Sequence, residues 1–351
     1  MGFFVLKSRK ILTALVVVSA IICLFCSCSA NRTENTQNTS VIMGSVVTVQ
    51  PYYKDGKSSD KLKKEIIEEI KRVDLIISKN NTESELYGIN QNSGKENKIS
   101  KELFDYIWDT TDIYSLSGNK LSVTSGALTE LWGIDTEEFR LPDDSEIKKA
   151  IPLCLDSNIR VTENDLKISI GVQEGQIFNL GSVGKGIACD KAVEIIASEE
   201  QCEGAVVSVG GSVAVYGTHD GKDIWTVGIR DPYGSASDIF AKLNVKNCFI
   251  STSGNYEKKF IIDGKTYHHI LDLETGYPVE NDLAAVTVVA SSGLESDAFS
   301  TMCYVLGEEE SRKLLEMYEA EAVFIYSDKT VSVTDGLKES LEIINDDYSL
   351  K

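Results

Sequence analysis

The second half of the sequence is a succession of short β-branched segments separated by turn residues. "GAVVSVGGSVAVYG", "WTVGIRDP", "NCFISTSG" and "LAAVTVVAS" predict successive strands, and "AVFIYSDKTVSVTDG" predicts a hairpin with Asp328 and Lys329 near its turn. Two helices interrupt these strands, one after Gly184 and one from Ser296 to Leu306. Because strands outnumber strand–helix–strand units, the pattern predicts an α+β fold with mainly antiparallel strands and argues against a doubly wound parallel sheet.

The first half of the sequence predicts one strand and two helices. The β-branched stretch from Val41 to Tyr53 predicts the strand, and Ser58 or Ser59 is expected to cap the first helix. The second helix is expected to start near Ser100 and to stop at Gly118. The predicted apolar faces consist of Leu62, Ile66, Ile70, Val73 and Ile77 in the first helix, and of Leu103, Ile107 and Trp108 in the second.

The N-terminus has the pattern of an exported lipoprotein. Basic residues precede an apolar run over 11–25, which is too short to span a bilayer comfortably and therefore favours a signal peptide. Ser27 before Cys28 resembles a bacterial lipobox, so Cys28 is the expected lipidation site. We expect residues 1–27 to be a signal peptide, 28–40 a flexible polar tether, and the mature protein to be anchored to a bacterial membrane outside the cytoplasm. A retained N-terminal membrane anchor is the alternative.

The remaining length and the charge limit the classes of partner. About 310 residues follow the tether, enough for one large domain or two tightly joined subdomains. The chain has 54 Asp and Glu against 35 Lys and Arg, which argues against nucleic acid or an anionic lipid surface as a partner. The same excess repels phosphate-bearing ligands, so a metal cation should help to hold any such ligand.

The cysteines after Cys28 do not form a recognisable disulfide framework. Their odd number, wide spacing and apolar surroundings favour small buried thiols. They are Cys154, Cys189, Cys202, Cys248 and Cys303.

A glycine-rich segment, "NLGSVGKGIACDKAVEII", precedes one of the predicted helices. Gly181, Gly184 and Gly186 can leave backbone N–H groups free at the helix N-terminus, where the helix dipole favours phosphate. Lys185 adds a positive charge there. The order of residues differs from a Walker loop, so a structural turn and a phosphate site remain equally open on these residues alone.

The segment "LESDAFSTMCYVLG" pairs a carboxylate with a hydroxyl. Ser296 is a candidate helix cap, and Asp297 and Thr301 lie four residues apart on one face of the predicted helix. An Asp and a hydroxyl form a hard oxygen pair suited to Mg²⁺, which accepts few protein ligands and keeps phosphate oxygens of a substrate. A capped helix with a solvated Asp297 is the alternative, and spacing alone favours it.

Two of the three histidines lie side by side in "ISTSGNYEKKFIIDGKTYHHILDLETGYPV". If this segment is extended, His268 and His269 point to opposite faces, so a metal site with two histidine ligands is not expected. Asp272 lies three residues beyond His269 and could orient an imidazole or act as a base itself. The small residues from Thr252 to Gly254 would allow a ligand to approach closely.

The order of these segments resembles the ApbE family of FAD:protein FMN transferases. The resemblance runs from about Met43 to about Gly336 and is carried by "SELYGIN", "LTELWGI", "NLGSVGKG", "STSGNY", "YHHILDLETGYPV" and "SDAFSTMCYVLG". It implies a single domain over 41–345, made of two closely packed mixed α/β subdomains with the flavin site between them. Family members are frequently exported lipoproteins, in agreement with the interpretation of Cys28.

The resemblance also implies a reaction and a set of site residues. The family cleaves the FAD diphosphate, transfers FMN to a Thr or Ser hydroxyl of an exported protein and releases AMP. By resemblance, His269 is the base that takes the proton of the acceptor, Asp272 orients the site, and Mg²⁺ is held by Asp297, Thr301 and a main-chain oxygen near Ser182. The positions that match flavin-dinucleotide contacts are Met43, Lys120, Leu121, Ser122, Asn179, Lys185 and Leu271.

The chain departs from the family pattern at several of these positions. Ser122 and Asn179 each stand where an Asp is usual, Leu273 replaces a Pro, and Ser300 stands where some relatives have another metal-binding Asp. Asn80 stands where many members have a Tyr that packs over the flavin. An open flavin site would let water reach the diphosphate, so FAD hydrolysis to FMN and AMP is an alternative function, and a non-catalytic flavin-binding lipoprotein is another.

Overall fold

The structure, a computed structural model, describes residues 40–54, 59–134, 136, 139–164 and 167–351. Within these ranges the helices are α1 (Asp60–Ile77), α2 (Glu85–Asn90), α3 (Lys101–Ser115), α4 (Gly126–Leu131), α5 (Asp144–Ala150), α6 (Gly184–Ser198), α7 (Gly293–Leu306) and α8 (Glu308–Met317). The strands are β1 (Ser40–Ile42), β2 (Ser45–Tyr53), β3 (Glu96–Ile99), β4 (Arg160–Asn164), β5 (Lys167–Gly171), β6 (Cys202–Val209), β7 (Ser212–Gly217), β8 (Trp225–Arg230), β9 (Ile239–Val245), β10 (Cys248–Gly254), β11 (Lys259–Ile262), β12 (Lys265–His268), β13 (Leu271–Asp272), β14 (Tyr277–Pro278), β15 (Leu283–Ala290), β16 (Glu321–Tyr326), β17 (Thr330–Val333), β18 (Leu341–Ile343) and β19 (Ser349–Leu350).

A nine-stranded sheet forms the centre of the fold. Its strand order is β1-β2-β6-β7-β10-β15-β16-β17-β19, and in the described part of the chain every pairing between these strands is antiparallel except that of β17 with β19. Three-stranded sheets (β18-β9-β8 and β3-β5-β4) and two hairpins (β11-β12 and β13-β14) surround it. The predicted α+β fold with mainly antiparallel strands is therefore confirmed.

The two faces of the central sheet have different cover. Along β6, Val207 packs with α1 and α6 residues such as Ile66 and Ala188, whereas the adjacent Val206 packs with residues of β8 and β9 such as Phe240. Successive side chains of a strand point to opposite faces, so an uninterrupted apolar strand has to be buried on both sides. The run "GAVVSV" meets that requirement, with helices on one face and the β18-β9-β8 sheet on the other.

The prediction of one strand from Val41 to Tyr53 is wrong, because this stretch is a hairpin. Met43 and Gly44 have φ angles of 53° and 64° and form a tight turn between β1 and β2. Positive φ at two successive residues is the geometry of a two-residue hairpin turn, and Met is an uncommon residue there. The unusual backbone holds Met43 at the edge of the site described below.

The helix starts were predicted correctly at two of three positions. Ser59 and Ser100 cap α1 and α3, with each hydroxyl accepting from the backbone N–H three residues later. Ser58, the other candidate, lies outside the described residues. Ser296 is not a cap: α7 begins earlier, at Gly293, and Ser292 caps it. Ser296 instead lies buried in the first turns of α7, with its hydroxyl 2.9 Å from that of Ser251.

The predicted signal peptide, Cys28 and the tether up to residue 39 lie outside the described residues. The first described residue is Ser40, in β1, and the fold runs past the predicted boundary at residue 345, because β19 joins the central sheet and Tyr348 is buried. Among the described helices none is both long and apolar enough to cross a membrane. The five cysteines after Cys28 are free thiols, and all but the half-buried Cys202 are buried, as predicted.

Candidate active site

The site lies where the N-termini of α6 and α7 meet. A Cβ added at Gly186 would lie 1.9 Å from the carbonyl oxygen of Gly293, and one added at Gly293 would lie 2.1 Å from that of Gly186. Neither position can accept a side chain, so the two backbones are in direct contact. The glycine-rich entry to α6 therefore has a packing role, and this role brings α7 against the start of α6.

Asp297 points from α7 into this junction. Its Oδ2 accepts a hydrogen bond from the backbone N–H of Gly186 at 2.9 Å, and its Oδ1 accepts one from the Ser212 hydroxyl at 3.2 Å. Lys185 Nζ lies 3.6 Å from the same Oδ1, and the Asp297 side chain is only 4% exposed. The alternative of a solvated carboxylate is therefore wrong.

Lys185 is the cation that faces this carboxylate. The negative charge of Asp297 raises the pKa of the Lys185 amine, against the opposing effect of burial. The ammonium therefore keeps its charge although the side chain is only 24% exposed. A buried positive charge is a feature that a phosphate site requires, whereas the N–H groups of Gly184 and Gly186 already donate to Leu180 and Asp297.

Hydroxyl groups surround the next turn of α7. Thr301 Oγ1 lies 3.1 Å from Ser253 Oγ, which is also 2.8 Å from Ser300 Oγ. Among the described residues no cluster of three or more His, Cys, Asp or Glu side chains could hold a metal ion. A single buried carboxylate with neighbouring hydroxyls instead fits Mg²⁺, which completes its shell with water and phosphate oxygens. The structure thus brings together Asp297, Thr301 and the small residues at the end of β10.

Ser182 lies in the loop before α6 and is held by a residue of α3. The Tyr114 hydroxyl donates to Ser182 Oγ at 2.6 Å across 68 residues of sequence. Tyr114 is 2% exposed, and the Asp297 charge contributes to raising its pKa, after burial. The hydrogen bond fixes the loop whose main-chain oxygen is the expected third metal ligand.

The loop from Lys120 to Thr124 is held by a carboxylate from another segment. Asp156 accepts from the Ser122 and Thr124 hydroxyls and from the backbone N–H groups of Val123 and Thr124. Burial raises the pKa of Asp156. Ser122 stands where the resemblance leads one to expect Asp, and the structure shows that Asp156 supplies a carboxylate at that place.

We expect Asp156→Asn to lower the free energy of unfolding by about 1–3 kcal/mol, because an amide leaves some of the buried donors unpaired. Ser122→Asp should be destabilising in the wild type, where it faces Asp156, but stabilising in the Asp156→Asn background. The reason is that an Asp at residue 122 can accept from the N–H of Thr124, two residues on. Calorimetry of the four proteins measures this reversal of sign; an effect of Ser122→Asp with the same sign in both backgrounds would contradict the assignment.

Two backbone contacts join this loop to other predicted site segments. The carbonyl oxygen of Lys120 accepts from the N–H of Leu273 at 3.2 Å, and that of Val123 accepts from the N–H of Asn179 at 2.7 Å. The Asn179 side chain then accepts from the N–H of Gly181 at 3.0 Å. Three segments with predicted flavin positions are therefore neighbours in space. They are the loop from Lys120 to Thr124, the segment at Asn179 and the segment that follows His269. Leu121 is half-buried at this junction, whereas the Leu271 side chain is buried in a cluster around Trp132.

Met43 lies near the start of α6, and Asn80 follows α1, whose last residue packs against that start. A Cβ added at Gly210 would lie 2.7 Å from Ser45 Oγ and 3.4 Å from Lys185 Cδ, so the turn that contains Met43 adjoins Lys185. Asn80 is exposed just after α1, and its Oδ1 accepts from Lys79 Nζ at 3.3 Å. Three residues earlier, Ile77 packs against Gly184 at the entry to α6.

His269 follows β12 and is neutral. Burial lowers its pKa to about 3, with contributions from the charges of Lys258, His268 and Lys185. Its backbone N–H donates to the carbonyl of Lys258 at 3.1 Å, whereas its Nδ1 is buried and has no hydrogen-bond partner among the described residues. A neutral imidazole with an unpaired ring nitrogen, close enough to Lys185 to sense its charge, can accept a proton at this site.

His268 has a structural role. Its Nε2 lies 3.0 Å from the carbonyl oxygen of Val279, and its Nδ1 accepts from the backbone N–H of Ile270 at 3.3 Å. Those two partners require the Nε2–H tautomer, and burial lowers the pKa of the ring. His268 therefore holds the strand that presents His269 and is not available as a second base.

Asp272 does not reach His269. Its Oδ1 accepts from the backbone N–H of Glu274 at 2.8 Å. Its carbonyl oxygen accepts from the backbone N–H of Gly276 at 2.7 Å. No hydrogen bond joins it to His269 within the described residues. The carboxylate stabilises the turn between β13 and β14, so any effect of Asp272 on the imidazole acts through the backbone.

Sequence reasoning missed Tyr114, Asp156 and Ser212, which hold the site residues in place. Each acts on a residue that is distant along the chain: Tyr114 on Ser182, Asp156 on the loop around Ser122, and Ser212 on Asp297. The sequence contains an indication for Tyr114 alone. It lies seven residues after Ile107 on the same face of a predicted helix, which indicates that it is buried but not that it contacts Ser182.

Proteins of known activity or structure resemble this chain along most of its length. The FAD:protein FMN transferase of Treponema pallidum is 27% identical over 357 residues, covering 95% of this chain and 97% of the relative. That of Klebsiella pneumoniae is 28% identical, covering 84% and 90%. The crystal structure of the ApbE protein of Thermotoga maritima superposes with a TM-score of 0.76 at 28% identity, covering 87% and 98%.

The model of the ApbE family matches residues 43–324. This range includes the Met43 turn, the α6–α7 junction and His269. By this match and by its fold, the chain belongs to the ApbE family.

Proposed function

We propose that this protein is an FAD:protein FMN transferase that moves FMN from FAD to a Thr or Ser hydroxyl of an exported redox protein and releases AMP. The observation that carries the proposal is the position of Lys185. Its ammonium lies 3.6 Å from the buried Asp297 carboxylate and close enough to His269 to help lower the pKa of that imidazole. In this proposal Lys185 binds phosphate, Asp297 binds the metal and His269 is the base. The similarity to the FAD:protein FMN transferases of Treponema pallidum and Klebsiella pneumoniae supports it.

Asp297, Thr301 and the main-chain oxygen of Ser182 would hold Mg²⁺, which when bound neutralises charge on the diphosphate and on the leaving AMP. Lys185 binds phosphate oxygens. Its positive charge also offsets the negative charge of an acidic chain. This part of the site positions the FMN phosphorus for attack.

His269 takes the proton of the acceptor. In the proposed step, a bond forms between the acceptor hydroxyl oxygen and the FMN phosphorus, and the bond from that phosphorus to the oxygen bridging to AMP breaks. The hydroxyl proton passes to the neutral imidazole of His269, and AMP leaves with the bridging oxygen. The unpaired Nδ1 of His269 supports this role.

Mass spectrometry of the mature domain with FAD, Mg²⁺ and a flavin-acceptor domain tests the proposal directly. A gain of one FMN on the acceptor, lost when its acceptor Thr is replaced by Val, is the expected result. Free FMN and AMP without that gain would instead establish a hydrolase. Retention of intact FAD with any divalent cation would establish a non-catalytic flavin-binding protein.

Hydrolysis of FAD to FMN and AMP is the second candidate, and the exposure of Asn80 favours it. The residue follows α1, whose last residue packs against the start of α6, and it offers no ring to cover a flavin. We expect Asn80→Tyr to slow AMP release in the absence of acceptor and to tighten FAD binding about two- to tenfold, from the stacking of one aromatic ring. Asn80→Ala, which removes the amide but adds no ring, is the control. Equal rates of AMP release for the two variants would refute the role of an open flavin site.

We also propose that the protein acts outside the cytoplasm, anchored by a lipid on Cys28. The supporting observations are the "LFCSCSA" sequence and the polar stretch that follows it, which separates Cys28 from the first strand at Ser40. The acceptors would then be exported proteins. Mass spectrometry of the N-terminal peptide checks this: an unmodified Cys28 in membrane-associated protein would contradict it.

A further inference from the structure

We propose that Asp190 is a positioning residue of the metal site, which holds the start of α7 so that the Asp297 carboxylate faces Lys185 and the cation. The proposal rests on the proposed function, because it assigns Asp190 a part in the same magnesium site. Asp190 itself contacts neither the cation nor FAD in this assignment; it acts through α7.

The first observation is that each of the two helices carries an Asp whose carboxylate accepts hydrogen bonds from the N-terminus of the other helix. Asp190, in the second turn of α6, accepts from the backbone N–H groups of Gly293 and Leu294 at 2.6 and 2.9 Å. Asp297, in the second turn of α7, accepts from the backbone N–H of Gly186 at 2.9 Å. Each carboxylate therefore binds N–H groups at the N-terminus of the other helix, where the first N–H groups lack partners within their own helix.

The second observation is the contact between Gly186 and Gly293. Because a Cβ at either residue would lie about 2 Å from the other residue's carbonyl oxygen, packing of side chains cannot hold the two helix starts together at this point. The carboxylate hydrogen bonds act across the junction there, beside a core cluster that contains Ile187 of α6 and Leu294 of α7. Loss of those from Asp190 leaves the first turn of α7 held by Ser292 and by Asp297 itself.

The third observation is that the Asp190 carboxylate is largely buried and accepts hydrogen bonds from the N–H groups of Gly293 and Leu294. Burial raises its pKa to about 6, and the N–H groups of Gly293 and Leu294 oppose that rise. A buried carboxylate costs stability unless its hydrogen bonds compensate for lost hydration. Asp190 lies one turn beyond Gly186, so it can transmit the position of α6 directly to the helix that carries Asp297 and Thr301.

Asp190→Asn should weaken the hydrogen bonds to Gly293 and Leu294 and remove the charge that favours a helix N-terminus. We expect the dissociation constant for Mn²⁺, measured by electron paramagnetic resonance of the full-length protein with FAD present, to rise about tenfold or more, as for other residues that orient metal ligands. The Mn²⁺ concentration that half-saturates FMN transfer should rise in parallel. The maximal rate at saturating Mn²⁺ should change less.

Glu308→Gln is the matched control for simple loss of stability. Glu308 begins α8 and accepts hydrogen bonds from Arg312, Ser332 and Tyr326. Gly307 separates α8 from α7, and the partners of Glu308 belong to α8, β16 and β17 and not to the site. This variant should lower the melting temperature but leave Mn²⁺ affinity unchanged.

The proposal is overturned if Asp190→Asn binds Mn²⁺ as tightly as the wild type, or if Glu308→Gln weakens binding equally at a similar loss of melting temperature. If Asp190→Asn does not fold, Asp190→Glu replaces it. That variant keeps the charge on a longer side chain and should show a smaller increase in the Mn²⁺ dissociation constant; unchanged affinity would again refute the proposal. If the wild type binds no Mn²⁺, the metal assignment of the proposed function fails first, and the two failures are thereby distinguished.

Discussion

Asp297→Asn is expected to abolish divalent-cation binding and to reduce FMN transfer by about a thousandfold or more. A metal that stabilises charge on a phosphoryl group contributes several kcal/mol to the transition state, and each 1.36 kcal/mol corresponds to a factor of ten in rate. The Asn amide keeps the shape of the side chain but has no charge to offer a cation. The effect should therefore reach both FMN transfer and any hydrolysis of FAD.

The same substitution removes the carboxylate that pairs with Lys185, whereas the charge of Glu257 continues to act on that ammonium. Because the Lys185 side chain is 24% exposed, solvent can compensate for part of the loss. We therefore expect a folded protein with a lower melting temperature, in which the ammonium is free to bind the FAD diphosphate. Retained FAD binding with lost Mn²⁺ binding would separate the metal role of Asp297 from a general defect.

Asp335→Asn provides the control, since it removes one carboxylate that is 89% exposed and pairs with Lys338 at the surface. It changes the net charge of the chain as Asp297→Asn does, without touching the site. Transfer assays and Mn²⁺ titrations of both variants check the expectation. Full activity of Asp297→Asn would place the cation elsewhere.

The sequence was sufficient to predict features that depend on neighbours along the chain. Ser59 and Ser100 were recognisable as caps because a cap binds an N–H three residues away. The spacing of Asp297 and Thr301 on one helix face was equally readable. The alternation of strands and turns was enough to predict the α+β class, because each strand can be recognised from residues that are neighbours along the chain.

Contacts between distant segments were not predictable from one sequence. The two-residue turn at Met43 was missed because β-branched residues flank it on both sides and Met rarely has a positive φ. The start of α7 was misplaced because three serines (Ser291, Ser292 and Ser296) could each cap it, and the close approach of Gly293 to Gly186 decides among them. Burial of Asp297 depends on the same junction, which is why spacing alone favoured a solvated carboxylate.

His269→Ala is expected to lower the rate of FMN transfer by about 10²- to 10⁴-fold, the usual contribution of a general base. FAD affinity should stay within a few-fold of the wild type, because the phosphate and metal contacts belong to α6 and α7. Loss of FAD binding in this variant would make His269 a ligand contact instead of a base. His268→Gln is the comparison: it disturbs the bonds to Val279 and Ile270 and should lower stability more than it lowers the rate.

The pH dependence gives an independent measurement of the same residue. Since the pKa of His269 is lowered from 6.5 to about 3 in the free protein, kcat/KM should show no fall attributable to this imidazole between pH 8 and pH 6. An acid limb near pH 6.5 that disappears in His269→Ala would contradict the burial of the ring.

The stability of the protein, unlike kcat/KM, should depend on pH through His269. Between pH 6.5 and 3 the unfolded chain binds a proton at His269 that the folded protein does not, so the free energy of unfolding should decrease as the pH falls through that window. His269→Ala should remove this contribution, because the unfolded variant has no imidazole at residue 269 to bind a proton. Calorimetry of both proteins at pH 4.5 and pH 7.5 can measure the difference.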